Sequence, residues 1–140
     1  MRLSRKRLLI ATAVSVAVVG AWLAFNGPGR FGPSCYGYIS YNALPRPLMD
    51  FQVRADGALR RVPKTHDVGA AELAWLLDAP PEVLILCKGW SGGVRPRPDV
   101  EPLGRPGLEV RILPTGEALD LFNRLRKAGR RVAIHVHSTC

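Results

Sequence analysis

Residues Val83 to Cys87 read VLILC, five consecutive apolar residues that decide the fold of this chain. Because successive side chains of a strand point to opposite faces of a sheet, an unbroken apolar run predicts a strand that is covered on both sides. Pro80 and Pro81 precede the run, and a glycine-rich connection that starts at Gly89 follows it. The pattern therefore predicts a central strand in an α/β layer fold.

The chain after this strand continues with a strand, a helix and a strand. Residues Leu108 to Leu113 alternate, which predicts a second strand. Thr115 is the predicted N-cap of a helix from Gly116 to about Ala128, and Gly129 stands at its C-terminal end. Val132 to Val136 predicts a final strand. This order of elements favours parallel strands.

The chain before the central strand predicts an antiparallel addition to the sheet. Tyr36 to Tyr41 is rich in strand-forming residues, and Leu48 to Arg54 alternates apolar and polar side chains. Asp56 and Gly57 form a hairpin signal, after which Leu59 to Val62 is expected to return as the partner strand. The sheet is therefore expected to be mixed.

A helix is predicted from Val68 to Asp78, where alanine and leucine form a strong helix-forming run. Asp67 is its possible N-cap, and the prolines at 80 and 81 end it. We therefore expect residues 36–140 to form an α/β domain with a mixed sheet.

An uncharged apolar block, residues Leu8 to Phe25, predicts one N-terminal transmembrane helix before this domain. Its 18 residues make roughly 27 Å of helix, close to the ~30 Å of a bilayer core. The alternative is a cleaved signal peptide, since Val19 and Ala21 fit the small-residue pattern before a cut at Trp22. A buried core helix is disfavoured because the block has no polar face.

The charges that flank the block predict its orientation. Residues 1–7 hold four basic side chains, whereas Arg30 is the only basic residue from position 26 to position 45. Positive charge stays on the cytoplasmic side. We therefore expect a basic cytoplasmic tail at 1–7, a single pass through the inner (plasma) membrane at 8–25, a linker at 26–35 and an extracytoplasmic domain.

The basic excess of the chain belongs largely to this topology. The 140 residues hold 20 Lys and Arg against 11 Asp and Glu, a formal charge of +9. Five of the basic residues and none of the acidic ones lie in residues 1–30, so the remaining residues carry only +4. No aromatic residues are interleaved with the basic clusters. We therefore expect these clusters to form a solvated face, with contact to anionic lipid head groups as the alternative, and we expect no nucleic-acid partner.

Five passages of the domain share their order and spacing with a known family. They are residues 50–54 with Asp56-Gly57, Thr65-His66 followed by Glu72 and residues 73–77, residues 81–86 before Gly89, residues 114–118 with Phe122-Asn123, and His137 to Cys140. These passages resemble the small α/β domain family shared by mitochondrial complex I assembly factor three and the adipogenesis-associated domain protein. The resemblance implies a three-layer α/β domain and a role in protein binding or assembly.

His66, His137 and Cys140 are the candidate ligand or catalytic residues. Strand alternation places His135 and His137 on one face, where Cys140 and a folded-back His66 could complete a zinc site. Polar histidines at a sheet end without metal are the favoured alternative. A Cys140 nucleophile activated by His137 or His66 is the enzymatic alternative, and the sequence reveals no acid that would orient the histidine.

Other residues complete the candidate pocket. Thr115 and Asn123 match the family pattern, although Thr115 is first interpreted as a helix cap and Asn123 as a polar residue that bonds to a neighbouring loop. A weak anion site is predicted at Lys88, Gly89 and Arg95, near a glycine-rich turn that lacks a phosphate-binding spacing.

The three cysteines have separate expected roles. Cys87 ends a buried strand and is expected to be an inert core residue. Cys35 could pair with Cys140 outside the cytoplasm, which leaves one thiol unpaired.

These observations favour a membrane-anchored, non-catalytic α/β domain that binds or helps to assemble another protein. No metal and no cofactor are predicted. The alternative is a small-ligand or metal-dependent enzyme that uses His66, His137 and Cys140.

Overall fold

The computed structural model describes residues 4–140. Its elements in chain order are α1 (Arg5–Phe25), β1 (Tyr38–Tyr41), β2 (Leu44–Pro47), β3 (Phe51–Val53), β4 (Leu59–Arg61), β5 (Asp67–Val68), α2 (Ala70–Leu77), β6 (Val83–Cys87), β7 (Arg95–Pro96), a 3₁₀ turn (Glu101–Leu103), β8 (Glu109–Leu113), α3 (Thr115–Lys127) and β9 (Val132–Val136).

A five-stranded mixed sheet organises the domain, in the order β4-β3-β9-β6-β8. β6 runs parallel to both β8 and β9, while β3 runs antiparallel to β9 and to β4. All five residues of β6 are buried, so the predicted strand covered on both faces is confirmed. The predicted α/β fold with a mixed sheet is confirmed as well.

The two helices of the domain cover opposite faces of this sheet. Aromatic side chains fill the face under α3, where the rings of Phe31 and Phe122 lie 5.0 Å apart and those of Phe31 and Tyr41 lie 4.8 Å apart. Leu73 and Leu76 of α2 pack on the other face in a second apolar cluster. The sheet and two helix layers give the three-layer arrangement that the family resemblance implies.

Both predicted helix caps are wrong. Asp67 lies in β5, and α2 begins after Gly69, whose backbone N–H donates to Glu72 Oε2 at 2.8 Å. Thr115 is inside α3, and Pro114 occupies the N-cap position. The hydroxyl of Thr115 donates instead to the carbonyl oxygen of His137 at 2.8 Å, because that buried acceptor lies directly across from it.

The N-terminal helix α1 is long and apolar enough to cross a membrane, judged by length and composition. None of its side chains is buried against the domain. It begins at Arg5, three residues before the predicted apolar block, because Ser4 accepts a capping hydrogen bond from the Arg7 backbone. The predicted basic tail lies partly outside the described residues, since residues 1–3 are not among them.

The segment predicted to be a linker, residues 26–35, contacts the domain. The Phe31 ring is 3% exposed and sits in the aromatic core. The Phe31 backbone N–H donates to Asn123 Oδ1 at 2.9 Å, and Asn123 Nδ2 donates to the Phe31 carbonyl at 2.8 Å. The glycines and prolines of this segment therefore shape a packed connection between α1 and the domain.

Candidate functional site

Two histidines face the α2 side of the sheet, where the neighbouring side chains are apolar. His135 and His137 follow alternation along β9, as predicted, and both are buried. Gln52 of β3 stands opposite His135 in the register, and Asp50 precedes β3 by one residue. Alternation places Asp50 on the same face as Gln52, beside His137. This face of the sheet thus carries two neighbouring polar pairs, Gln52 with His135 and Asp50 with His137.

The carboxylate of Asp50 accepts three hydrogen bonds. Its Oδ2 lies 2.6 Å from His137 Nδ1, and its Oδ1 accepts from the Ser138 backbone N–H at 3.0 Å and from the Ser138 hydroxyl at 3.2 Å. Burial acts to raise the pKa of Asp50, but the bonds from His137 and Ser138 outweigh it, so the pKa is lowered. Asp50 is therefore an ionised acceptor that fixes the proton of His137 on Nδ1.

The other nitrogen of His137 faces a thiol. His137 Nε2 lies 3.2 Å from Cys140 Sγ. Burial acts to lower the pKa of His137, whereas its bonds to Asp50 and Cys140 raise it above its ordinary value. The hydrogen bond from His137 lowers the pKa of Cys140 to about 7. Near neutral pH a large share of Cys140 is thus thiolate, paired with a protonated histidine.

His66 approaches the same sulfur from the connection between β4 and α2. Its Nε2 lies 2.8 Å from Cys140 Sγ, and its ring centroid lies 5.3 Å from that of His137. The His66 carbonyl accepts from the backbone N–H of Arg95, which ties this connection to β7. The ligand atoms of His66, His137 and Cys140 all lie within 4.8 Å of one another, so these three residues could hold a metal ion.

The glycine-rich connection after β6 packs against Cys140. Gly89 has a φ of +90°, and a Cβ added to it would overlap the carbonyl oxygen of Cys140 and lie 2.6 Å from that of Thr139. Trp90 donates from its indole nitrogen to the Ser138 carbonyl at 3.1 Å. Glycine is therefore required for this close approach. The anion site predicted at Lys88, Gly89 and Arg95 stays a prediction.

The structure brings one of the two helix α3 candidates to the site. Thr115 contacts it through the His137 carbonyl, whereas the Asn123 side chain, among residues 4–140, bonds only to the Phe31 backbone. Asn123 is thus a loop contact, one of the two roles that the sequence left open. Thr115 supports the strand end that carries His137.

The three cysteines differ in their surroundings. Cys87 is fully buried, and burial raises its pKa to about 12, as expected for an inert core residue. Cys35 is exposed and Cys140 is half-buried, and all three thiols are free. The pairing of Cys35 with Cys140 that the sequence left open is not formed. Cys140 is therefore available for chemistry.

Asp50 is the site residue that the sequence analysis missed. The sequence places it at a polar position of an alternating strand, where a solvated side chain is the ordinary interpretation. Its position 87 residues before His137 gives no local sign of their contact. Only the antiparallel pairing of β3 with β9 brings the two together. The one local sign was strand alternation, which places Asp50 on the same face of the sheet as Gln52.

The resulting series of a thiol, an imidazole and a carboxylate has the order of a nucleophile, a base and an orienting acid. Each member is within hydrogen-bond distance of the next, and the carboxylate and the imidazole are fully buried. Cys140 is the member that solvent reaches. The arrangement can therefore support nucleophilic chemistry at sulfur.

The fold and site define a small α/β domain with a cysteine, histidine and aspartate cluster at one end of a mixed sheet. Its structural neighbours are Mth938-like domain proteins. The predicted likeness to a small α/β domain family is confirmed, whereas the specific link to the complex I assembly factor stays a prediction. No protein-family model matches the chain.

Three solved structures illustrate the likeness. MT938 is 29% identical, with a TM-score of 0.65 over 79% of this chain and 98% of its own. A Mth938-like domain protein of Bordetella pertussis is 20% identical, with a TM-score of 0.60 over 79% of this chain and 85% of its own. An outer membrane protein from Bartonella henselae is 16% identical, with a TM-score of 0.66 over 83% of this chain and 99% of its own. The last two show the fold alone.

Proposed function

We propose that the domain is a thiol-dependent acyl-transfer enzyme in which Cys140 is the nucleophile, His137 its base and Asp50 the orienting acid. The observation that carries the proposal is the unbroken hydrogen-bond series from Asp50 through His137 to Cys140. The sequence favours a non-catalytic domain because it reveals no convincing catalytic constellation, and the acid missing from the Cys140 alternative is supplied by Asp50. The lowered pKa of Cys140, about 7, provides thiolate at neutral pH.

The reaction follows from where the proton resides. The Cys140 thiolate attacks the carbonyl carbon of an ester or thioester, and a bond forms between sulfur and carbon. The bond from that carbon to the leaving group breaks, and the leaving group takes the proton held on His137 Nε2. Water or another acceptor then attacks the acyl carbon and gives its proton to the neutral His137, while the carbon–sulfur bond breaks and the Cys140 thiolate leaves. Throughout, Asp50 keeps His137 in the orientation that faces the sulfur.

The contacts to the sulfur favour this proposal over a zinc site. Zinc bonds of ~2.3 Å to sulfur and ~2.0–2.1 Å to nitrogen, at tetrahedral angles, would separate the two ligand atoms by roughly 3.5 Å. His66 Nε2 lies 2.8 Å from Cys140 Sγ and His137 Nε2 lies 3.2 Å from it. Both are hydrogen-bond distances, so each imidazole faces the sulfur as a hydrogen-bond partner.

The test uses the full-length chain in detergent micelles with p-nitrophenyl acetate as the acyl donor. We expect a burst of nitrophenol that approaches one equivalent, together with an acetyl group on Cys140 in the peptide mass map. Cys140→Ser should abolish the burst. Cys35→Ser, which removes an exposed thiol outside the cluster, should leave it unchanged.

Two results would overturn the proposal. One is a burst of equal size in Cys140→Ser, which would place the acylation elsewhere. The other is one equivalent of zinc in protein purified without added metal, with no burst before or after a chelator removes the metal. The second result would assign His66, His137 and Cys140 to metal binding.

We further propose that α1 anchors this domain in the inner (plasma) membrane, with the N-terminus in the cytoplasm and the domain extracytoplasmic. Arg5, Lys6 and Arg7 at the start of α1 support this orientation. Trp22 at the far end donates from its indole nitrogen to the Ala43 carbonyl at 3.1 Å, next to the exposed side chain of Leu44. This apolar hairpin tip lies where an anchored domain would meet the lipid surface.

The location is tested in fractionated cells and in spheroplasts treated with protease. We expect full-length chain in the membrane fraction and digestion of the domain from outside, while a cytoplasmic marker protein stays intact. A soluble chain that lacks its first 21 residues would identify a cleaved signal peptide. A domain protected from protease would contradict the proposed orientation.

The protein-binding role, assembly-factor-like, follows from the family resemblance alone and stays a competing prediction. A variant with His66, His137 and Cys140 all changed to Ala separates the two roles. A partner captured equally well by the variant and by the unchanged chain, with no acylation of either, would favour the assembly role. Acylation that depends on Cys140 favours the enzyme.

A further inference from the structure

A cavity of about 250 Å³ lies against the α2 face of the sheet, beside the reactive cysteine cluster but formed by different residues. Val62 and Pro63 form an apolar wall, and His135, Gln52 and Arg60 provide its polar lining. Its volume is below the ~300–1,000 Å³ typical of drug-sized ligand pockets. The cavity therefore fits a small molecule.

The orientation of the Gln52 amide is fixed by its partners. Its Nε2 donates to the Glu72 carbonyl oxygen at 2.7 Å, and its Oε1 accepts from Arg60 Nε at 2.9 Å. The opposite orientation would place oxygen against oxygen at Glu72 and donor against donor at Arg60. Gln52 Nε2 therefore faces His135 Nδ1 as a donor, at 3.0 Å.

This orientation decides which nitrogen of His135 carries the proton. His135 Nδ1 accepts from Gln52, so the neutral imidazole holds its hydrogen on Nε2. His135 is 1% exposed, and Nε2 has no hydrogen-bond partner among the described residues. A buried donor without an acceptor is costly, and His135 is one of the residues that line the cavity, so an acceptor that enters there with a small shift of the lining would satisfy it.

Arg60 adds a positive charge at the same cavity. Its guanidinium carbon lies 4.5 Å from the ring centroid of Trp75, a stacking contact that holds the side chain in place. Its Nε bonds to Gln52, and its terminal nitrogens form no hydrogen bond to a described residue. Glu72, the acidic residue of the lining, is already paired with Arg97. The cavity is therefore suited to an anion.

We propose that this cavity binds the carboxylate of a small organic acid, which accepts a hydrogen bond from His135 Nε2–H and pairs with the guanidinium of Arg60. The apolar wall of Val62 and Pro63 is suited to a short hydrocarbon chain on the acid. The site stands independently of the acyl-transfer activity of Cys140, since none of its lining residues belongs to the cysteine cluster.

The test observes the His135 ring directly by NMR of the full-length chain, labelled with ¹⁵N at histidine, in detergent micelles. We expect Nε2 to be protonated and Nδ1 to be unprotonated at pH 7. Butyrate should shift the Nε2 resonance of His135 to a saturating value. Butylammonium, of the same size and opposite charge, should not shift it.

Matched variants separate the site from general effects of charge. Arg60→Gln should weaken butyrate binding on the order of tenfold. Arg61→Gln removes the neighbouring exposed arginine and should leave binding unchanged. Cys140→Ser should retain binding, so that loss of the acyl-transfer proposal leaves this one standing. Arg60 is half-buried and outside the core, so its variant remains informative where a change at His135 prevents folding.

Any of three outcomes would overturn the proposal. A proton on Nδ1 of neutral His135 would contradict the premise that Nε2 carries the hydrogen and needs an acceptor. If the Nε2 resonance of His135 does not shift with butyrate up to millimolar concentrations, water and not a carboxylate accepts its hydrogen bond. A shift that inorganic phosphate causes equally well, or that disappears in Cys140→Ser, would assign the response to a different ligand or to the cysteine cluster.

Discussion

Asp50 Oδ2 lies 2.6 Å from His137 Nδ1, and both side chains are fully buried. The pair joins the end of β9 to the residue before β3 and sets which nitrogen of His137 faces Cys140. Because Asp50 holds a negative charge next to the imidazole, it favours the protonated histidine and, through it, the thiolate. The reactivity of Cys140 is therefore expected to depend on a residue that never touches the sulfur.

Asp50→Asn should slow the alkylation of Cys140 by iodoacetamide at pH 7. With the thiol pKa moved from about 7 towards the ~8.5 of a free cysteine, the thiolate fraction falls roughly 15-fold. The measurement is the rate against pH in a Cys35→Ser background, where the midpoint should rise from near pH 7. Asp56→Asn, an exposed aspartate bonded to Arg54, is the control and should keep the original profile. If the Cys35→Ser protein and its Asp50→Asn and Asp56→Asn variants show the same dependence of alkylation rate on pH, a role for Asp50 is contradicted.

Gly89→Ala should disrupt the position of Cys140, whereas Gly92→Ala should not. Both glycines have positive φ, +90° and +80°, so both variants carry a similar backbone cost of ~1 kcal/mol. Only at Gly89 would the added Cβ meet the backbone of Thr139 and Cys140, while at Gly92 its nearest neighbour is the Lys88 side chain at 3.9 Å. The alkylation rate of Cys140 is the readout. Equal rates in the two variants would show that the close approach is not needed.

His135 should make the fold sensitive to mild acid. Burial lowers its pKa from 6.5 to about 4, so between these values the folded chain keeps it neutral while the unfolded chain binds a proton. The contribution of His135 to the free energy of unfolding should therefore be largest above pH 6.5 and fall by roughly 1.5 kcal/mol between pH 6.5 and pH 5. Urea unfolding at several pH values measures this. His135→Gln should flatten the dependence, whereas His66→Gln, at an exposed position, should retain it; a slope unchanged by His135→Gln would refute the assignment.

Asn123→Ala should loosen the connection between α1 and the domain. The change removes two hydrogen bonds to the Phe31 backbone, each contributing about 0.5–1.5 kcal/mol, so the free energy of unfolding should fall by about 1–3 kcal/mol. Limited proteolysis should then cut residues 26–35 faster. Asp120→Ala, at an exposed position of the same helix, is the matched control. If both variants resist protease as the unchanged chain does, the contact does not hold this segment.

The regular elements follow from local sequence because their signals are local. The apolar run at Val83–Cys87, the alternation before Pro114 and the helical spacing after it each lie within a few residues. The predictions of the helix caps were wrong because they, too, used only the local sequence. Thr115 has the side chain of an N-cap, but its hydroxyl bonds across the domain to the His137 carbonyl. A competing acceptor 22 residues away is not visible in the local pattern.

The residues of the candidate site also fall into two groups, those that the local sequence predicts and those that only tertiary contacts bring in. Alternation alone places His135 and His137 on one face, and the sequence singles out His66 and Cys140 as residues of the right chemistry. Asp50 enters only through the pairing of β3 with β9, and His66 only through the path of the chain after β4. Contacts over 87 and 74 residues depend on packing, which no spacing along the chain records.

By itself, the sequence determined the apolar N-terminal helix, the order of the five main-sheet strands and the two domain helices, and the mixed α/β class, because hydrophobic periodicity and turn residues act over short distances. The tertiary structure decided which polar side chains meet. It placed a carboxylate behind His137, brought two imidazoles to one thiol and left the Nε2–H of His135 without a partner among the described residues, beside a cavity. The reason is physical: burial strengthens each of these interactions, and burial is a property of the folded chain as a whole.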